Sequence, residues 1–306
     1  MPSIATQFVH VNGAPFHYAR AGSGESLLLL HGWPEFWLTW KRVMERLANH
    51  FDLIAPDLRG FGQSGEPDPA PSDKVGPDIH AADMLAVMDA LGIERFGIVS
   101  HDVGCYAAQA IARRHPERVT GLFFFGCIYP GIGGRWIAPD HIKEIWYQSF
   151  NQLPWAAELI GSSREACRLY FSNLIRHWSA RKDAFDEVLE AWVDNFMSRG
   201  NLQGGFNWYR SANAMRIAMM KGELPPQPPI SLPTRVLWGA EERVLPAAWA
   251  DRLGEYFTDL EFSTLSGAGH FPHMEAPDAA SAAIRAFYDR LSAHGRPPPC
   301  PHTPSL

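Results

Sequence analysis

Short apolar runs alternate with amphipathic segments along most of this chain. "SLLLLHG" (26–32) and "FDLIAPD" (51–57) are unbroken apolar runs closed by loop residues, the pattern of strands buried on both faces. "TQFVHVNGAPFHYAR" alternates about Asn12-Gly13, which predicts a hairpin. "DIHAADMLAVMDALG" (78–92) spaces its apolar residues as an amphipathic helix and stops at Gly92. "RFGIVS" (95–100) reads as a strand, and "GCYAAQAIARRHP" (104–116) as a helix ended by Pro116. "RVTGLFFFG" (118–126), "TRVLWG" (234–239) and "LEFSTLSG" (260–267) are further strands, and "DAASAAIRAFYDRLS" (278–292) is a closing helix. Strands alternating with helices predict an α/β fold with a mostly parallel, eight-stranded sheet.

That rhythm stops between Tyr129 and Gly222. The stretch is helix-like and rich in Trp, Tyr, Phe, Met and Asn, and the Pro-rich "LPPQPPISLP" (224–233) leads back to a strand. The expected organisation is a core of 1–128 and 229–293, a helical cap inserted at 129–228, and a disordered tail over 294–306.

Composition narrows the function classes. With 46% hydrophobic and 20% charged residues the chain reads as an ordinary globular protein, and 306 residues suffice for a large core. A net charge of −6 without basic runs argues against a nucleic-acid partner. No window approaches the roughly 18 apolar residues of a membrane span, so no membrane partner is expected. No signal peptide is visible at the N-terminus, and the four cysteines are scattered without metal-like spacing. The expectation is a cytoplasmic enzyme with free thiols, no metal and no cofactor. A homodimer is carried as a further expectation.

In an open α/β sheet, ligands bind at the carboxyl ends of the strands. "HGWP" (31–34), "HDVG" (101–104), "GAEERVLP" (239–246) and "GAGHFPHMEAP" (267–277) all fall there. "SHDVG" matches the G-x-S-x-G nucleophile elbow loosely, with Asp102 where Ser would stand. A helix starting behind Asp102 favours its ionised form. The order Asp102…Glu242…His270 is the nucleophile–acid–base order of that elbow fold, with Glu241 a neighbouring candidate for the acid.

These motifs, with "HGWPEFWLTW", "DLRGFGQS" and "FNWYR", resemble the epoxide hydrolases of the α/β-hydrolase superfamily over residues 5 to 292. The resemblance implies an Asp nucleophile that forms an alkyl ester with an epoxide carbon, which water then cleaves to a vicinal diol. It makes His270 the base, Glu242 its orienting acid, and the backbone N–H groups of Trp33 and Val103 the oxyanion hole. Two cap tyrosines would protonate the opening ring; "WYQSFNQ" offers Tyr147 and "NWYR" offers Tyr209, with Tyr129 and Tyr170 competing for the first place. His31, Pro34, His101 and Trp208 are assigned to the substrate pocket; His31 and His101 are also read as shaping the turn, and Pro34 as a candidate cis proline. "DLRGFGQS" is read as a structural turn. The expected partners are a small epoxide and water.

Haloacid and haloalkane dehalogenases share the Asp nucleophile and are the alternative. The fluoroacetate enzymes carry Arg after the nucleophile and three residues later, where this chain has Val103 and Tyr106. They also place a His-Trp pair where it has Tyr147-Gln148, and haloalkane dehalogenases put Trp at the place of Val103. A non-catalytic module binding hydrophobic ligands is the reading from another class.

Overall fold

The computed structural model describes residues 3–65, 70 and 75–295. Eight strands form one sheet: β1 (Ala5–Val11), β2 (Ala14–Gly22), β3 (Glu25–Leu30), β4 (Phe51–Pro56), β5 (Phe96–His101), β6 (Val119–Phe125), β7 (Thr234–Gly239) and β8 (Leu260–Leu265), in the order β1-β2-β4-β3-β5-β6-β7-β8. The β1–β2 and β2–β4 pairs are antiparallel and the others parallel. The β1–β2 turn puts Asn12 and Gly13 at positive φ (49° and 74°), as the hairpin reading requires.

Every residue of β4 and β5 is buried, because helices cover both faces of the sheet. On the core the helices are α1 (Lys41–Leu47), α2 (Pro77–Ala90) and α3 (Val103–Arg114). Between β6 and β7 the chain is helical, with a kinked turn over Pro130–Ile137, then α4 (Trp146–Phe150), α5 (Ala156–Gly161), α6 (Arg164–Trp178), α7 (Leu189–Met197), α8 (Asn201–Ser211) and α9 (Asn213–Lys221). α10 (Pro272–Glu275) and α11 (Pro277–Gly295) close the fold. α11 runs two residues beyond the start expected for a tail at 294, since its apolar face packs on the sheet through Ile284, Phe287 and Tyr288; the tail reading for 296–306 falls outside the described residues.

The 129–228 helices sit close on the core. A Cβ added at Gly204 of α8 would lie 2.3 Å from the Gly60 carbonyl oxygen. Only glycine permits that approach, so the "DLRGFGQS" turn is the seat on which α8 rests. Asn201 of the same helix donates to the Gly62 carbonyl at 2.8 Å.

Candidate active site

β5 ends at His101 and α3 begins at Val103, so Asp102 alone makes the corner. Its backbone has φ 46° and ψ −115°, a conformation that L-residues rarely adopt. The corner can be this sharp because the helix behind it starts small. A Cβ at Gly104 would stand 2.4 Å from the Leu30 carbonyl oxygen, so α3 lies directly on the end of β3. Asp102 thereby projects beyond the strands, its side chain 12% exposed, with the positive end of α3 beneath it.

The loop after β3 reaches over this carboxylate. The backbone N–H of Trp33 donates to Asp102 Oδ1 at 2.8 Å. Val103 supplies the first residue of α3 beside it. The Trp33–Pro34 bond is cis, in line with the reading of Pro34.

His270, on the loop after β8, faces the other carboxylate oxygen, with Nε2 4.0 Å from Asp102 Oδ2. Its Nδ1 lies 2.5 Å from Oε2 of Glu242, on the loop after β7. Glu242 also accepts from the Val244 N–H at 2.7 Å. Glu241 instead accepts from the Gly267 N–H on the exposed side, so Glu242 is the acid that meets His270. Burial alone would push His270 down; the Glu242 carboxylate, with smaller help from Asp102 and Glu35, outweighs it and lifts the imidazole to about 9.

Above Asp102 stand Tyr147 of α4 and Tyr209 of α8, both buried. Trp33 positions them: Tyr147 stacks on its ring (centroids 5.2 Å apart, 3° between planes), and Tyr209 meets it edge-on at 5.3 Å. Burial holds both phenols above their usual range, so both keep their protons at neutral pH. The two competitors are engaged elsewhere: Tyr129 donates to the Trp249 carbonyl and Tyr170 to Asn151 Oδ1.

A narrow cavity of about 20 Å³ separates the groups. Asp102, Val103, Tyr147, Gln148, Trp208 and Tyr209 line it. Tyr106, Ile128, Trp136, Arg216 and Val244 complete it. Trp208, a lining residue of the cavity, is stacked on His80. His31, Pro34 and His101 do not line it. His31 is buried behind the corner, where its ring nitrogens meet the Leu58 N–H and the Gly32 carbonyl. Pro34 offers its carbonyl to the indole of Trp192. These three hold the loops, because their polar atoms are consumed by protein partners.

His101 belongs to a buried network that the sequence did not reveal. Glu35 accepts from the Gly32 N–H (2.7 Å) and the Thr39 hydroxyl (2.6 Å), and meets His101 Nδ1 (2.7 Å) and His273 Nε2 (2.9 Å). The far nitrogen of His101 lies 2.7 Å from the His270 carbonyl oxygen. Burial drives His273 down to about 4, while His101 and His273 beside Glu35 hold that carboxyl well below its usual range despite burial. Glu35, His101 and His273 bring three metal-type ligand atoms within 4.8 Å of one another. Those atoms are already joined to each other, and the set ties the Trp33 loop to the His270 loop.

The family profile described as "alpha/beta hydrolase fold" matches residues 25–277. The chain is 29% identical over 297 residues to epoxide hydrolase 4 of Mus musculus, covering 94% of this chain and 80% of that protein. It is 28% identical over 292 residues to a fluoroacetate dehalogenase of Burkholderia sp, covering 92% of each. Among solved structures, the unliganded epoxide hydrolase CorEH superposes with a TM-score of 0.82 at 25% identity, over 94% of this chain and 100% of that one. The chain belongs to the α/β-hydrolase fold family.

Proposed function

We propose that this member of the α/β-hydrolase fold family opens an epoxide to a vicinal diol through an ester on Asp102. The observation that carries the reading is a carboxylate with its two oxygens in different hands, facing two protonated phenols across one cavity. Oδ1 is held by the Trp33 N–H, and Oδ2 faces His270. Segment 129–228 acts as the cap that brings the phenols.

Oδ2 attacks a ring carbon. The carbon–oxygen bond of the ring breaks, and its electron pair goes to the ring oxygen, which takes a proton from Tyr147 or Tyr209. Esterification removes the Asp102 charge that, after Glu242, helps keep His270 protonated, and His270 passes its proton to the tyrosinate, which restores the phenol and leaves His270 neutral as a base. His270 then takes a proton from water while the water oxygen adds to Cγ of Asp102. Charge collects on Oδ1, where the Trp33 N–H lies and the Val103 N–H serves as the second donor. Collapse breaks the Cγ–Oδ2 bond, and the new carboxylic acid gives its proton to the departing alkoxide. His270 keeps the proton taken from water and so ends as it began, and substrate plus water have become diol.

Dehalogenation with the same nucleophile needs a halide cradle and no ring proton. Two buried phenols at the reacting carboxylate favour the epoxide. The test is a panel of terminal epoxides, fluoroacetate and haloalkanes, scored for diol, fluoride and halide. His270→Gln should accumulate an epoxide adduct on the Asp102 peptide, read by mass. Halide release without diol formation, or an unmodified His270→Gln chain that binds epoxide, overturns the proposal.

A further inference from the structure

Arg216, on α9, lines the same cavity as Asp102 and is only 7% exposed. No described residue accepts a hydrogen bond from its guanidinium or forms an ion pair with it. Among the described residues, its guanidinium carbon lies over the face of Tyr209, 5.6 Å from the ring centroid. Its positive field reaches the hydroxyls of Tyr106, Tyr147 and Tyr209. Burying a cation without an anionic partner is costly, and even two less buried arginines have one: Arg59 is paired with Asp83 and Arg20 with Asp52. The planar fork of a guanidinium fits a carboxylate with two parallel hydrogen bonds.

A second unused donor belongs to the same wall. The indole N–H of Trp136 is buried and has no partner among the described residues, and the 130–137 turn that carries it packs on α9. Gln148, also on the wall, spends its amide N–H on the Tyr147 hydroxyl at 3.1 Å and leaves its carbonyl oxygen without a donor. The cavity lining therefore holds a fixed positive charge and an unused donor together with the reacting carboxylate, and the Gln148 carbonyl oxygen is an acceptor among them.

We infer that the substrate carries a carboxylate, which Arg216 binds with the Trp136 N–H beside it, so that the reacting group is an epoxide on a short acid. The identity of the reacting group rests on the proposed function; the anion site does not. The carboxylate end would sit at α9, and the ring would be presented to Asp102 with its oxygen toward Tyr147 and Tyr209. The narrowness of the cavity favours a compact acid of the oxirane-2-carboxylate type. The role differs from that of arginines placed next to the nucleophile, because Arg216 approaches from the helical insert.

Two measurements test this. In an Asp102→Asn chain, which cannot turn over, binding of oxirane-2-carboxylate and of its neutral amide is compared by calorimetry, with and without Arg216→Gln. The acid should bind at least 10-fold tighter than the amide, and Arg216→Gln should erase that preference, while Arg216→Lys should restore part of it. In the parent chain the ratio of kcat/KM for acid over amide should fall about 100-fold or more in Arg216→Gln, since the substrate's charge then lacks its partner. Epoxide opening with no preference for the acid in the parent chain sinks the anion site and leaves the epoxide reading standing. Arg216-dependent binding of the acid without diol formation does the reverse. Equal losses for acid and amide in Arg216→Gln would make Arg216 a support for the tyrosines and overturn the inference. The parent preference can be read even if the variants fold poorly.

Discussion

Glu242 and His270 form a buried ion pair, with Oε2 2.5 Å from Nδ1 and side chains 3% and 2% exposed. Pairing at Nδ1 leaves Nε2 as the nitrogen that looks toward Asp102.

The pair makes stability depend on pH. The folded pKa of about 9 lies above the ordinary 6.5, so the contribution is complete below about pH 6.5 and is lost as pH rises through about 9. It is on the order of 3 kcal/mol. Glu242→Gln should flatten that decline. Denaturant unfolding from about pH 6 to about pH 10 reads it directly; parallel profiles for parent and variant would rule out Glu242 as the source.

Substitutions at Asp102 should separate chemistry from strain. Asp102→Ala and Asp102→Gly should both lose turnover while remaining folded. Both lose the Trp33 bond, worth about 1 kcal/mol. Glycine also relieves the positive φ, a strain on the order of 1–3 kcal/mol. Asp102→Gly should therefore melt at or above Asp102→Ala in a thermal scan, and a clearly lower melt would remove the strain argument.

Tyr147 and Tyr209 are expected to share the ring proton. Tyr147→Phe or Tyr209→Phe alone should lower kcat on an epoxide on the order of 10²-fold, by analogy with other transition-state donors. The double variant should be nearly inactive. Parental rates in the double variant would put the epoxide assignment in doubt.

Glu35 should matter for the fold more than its distance from the cavity suggests. Glu35→Ala leaves the Gly32 N–H, Thr39 and His101 without their acceptor in a fully buried place. The expected loss is on the order of 3 kcal/mol in denaturant unfolding. A change within about 0.5 kcal/mol, the usual range of surface substitutions, would show that the network is not structural.

The sequence made the sheet legible because its strands are short, buried and nearly all apolar. "TRVLWG" is the observed β7 residue for residue. Asp102, His270 and Glu242 could be read because a strand-end motif ties each to a fixed corner. Glu35 and His273 lie inside "HGWPEFWLTW" and "GAGHFPHMEAP", but a buried acid looks like a loop charge until its partners come together from far along the chain. Arg216 carried no signal at all. It is a lone charge in the apolar run of α9, and only the packing of that helix against the cavity encloses it. His31 and His101 were misplaced on the pocket wall because adjacency in sequence to a reacting loop does not say which way a ring points.

The Trp33 N–H bond has a consequence for atoms rather than energies. It labels one carboxylate oxygen of Asp102 as resident and leaves the other as the one spent. On the proposed route each diol departs with the oxygen facing His270, and water refills that place alone. During many turnovers in ¹⁸O water, Asp102 should settle at one heavy oxygen, with the resident oxygen untouched for as long as the carboxylate does not turn over between its two neighbours. A second heavy oxygen appearing at the pace of turnover would measure how often that grip is released.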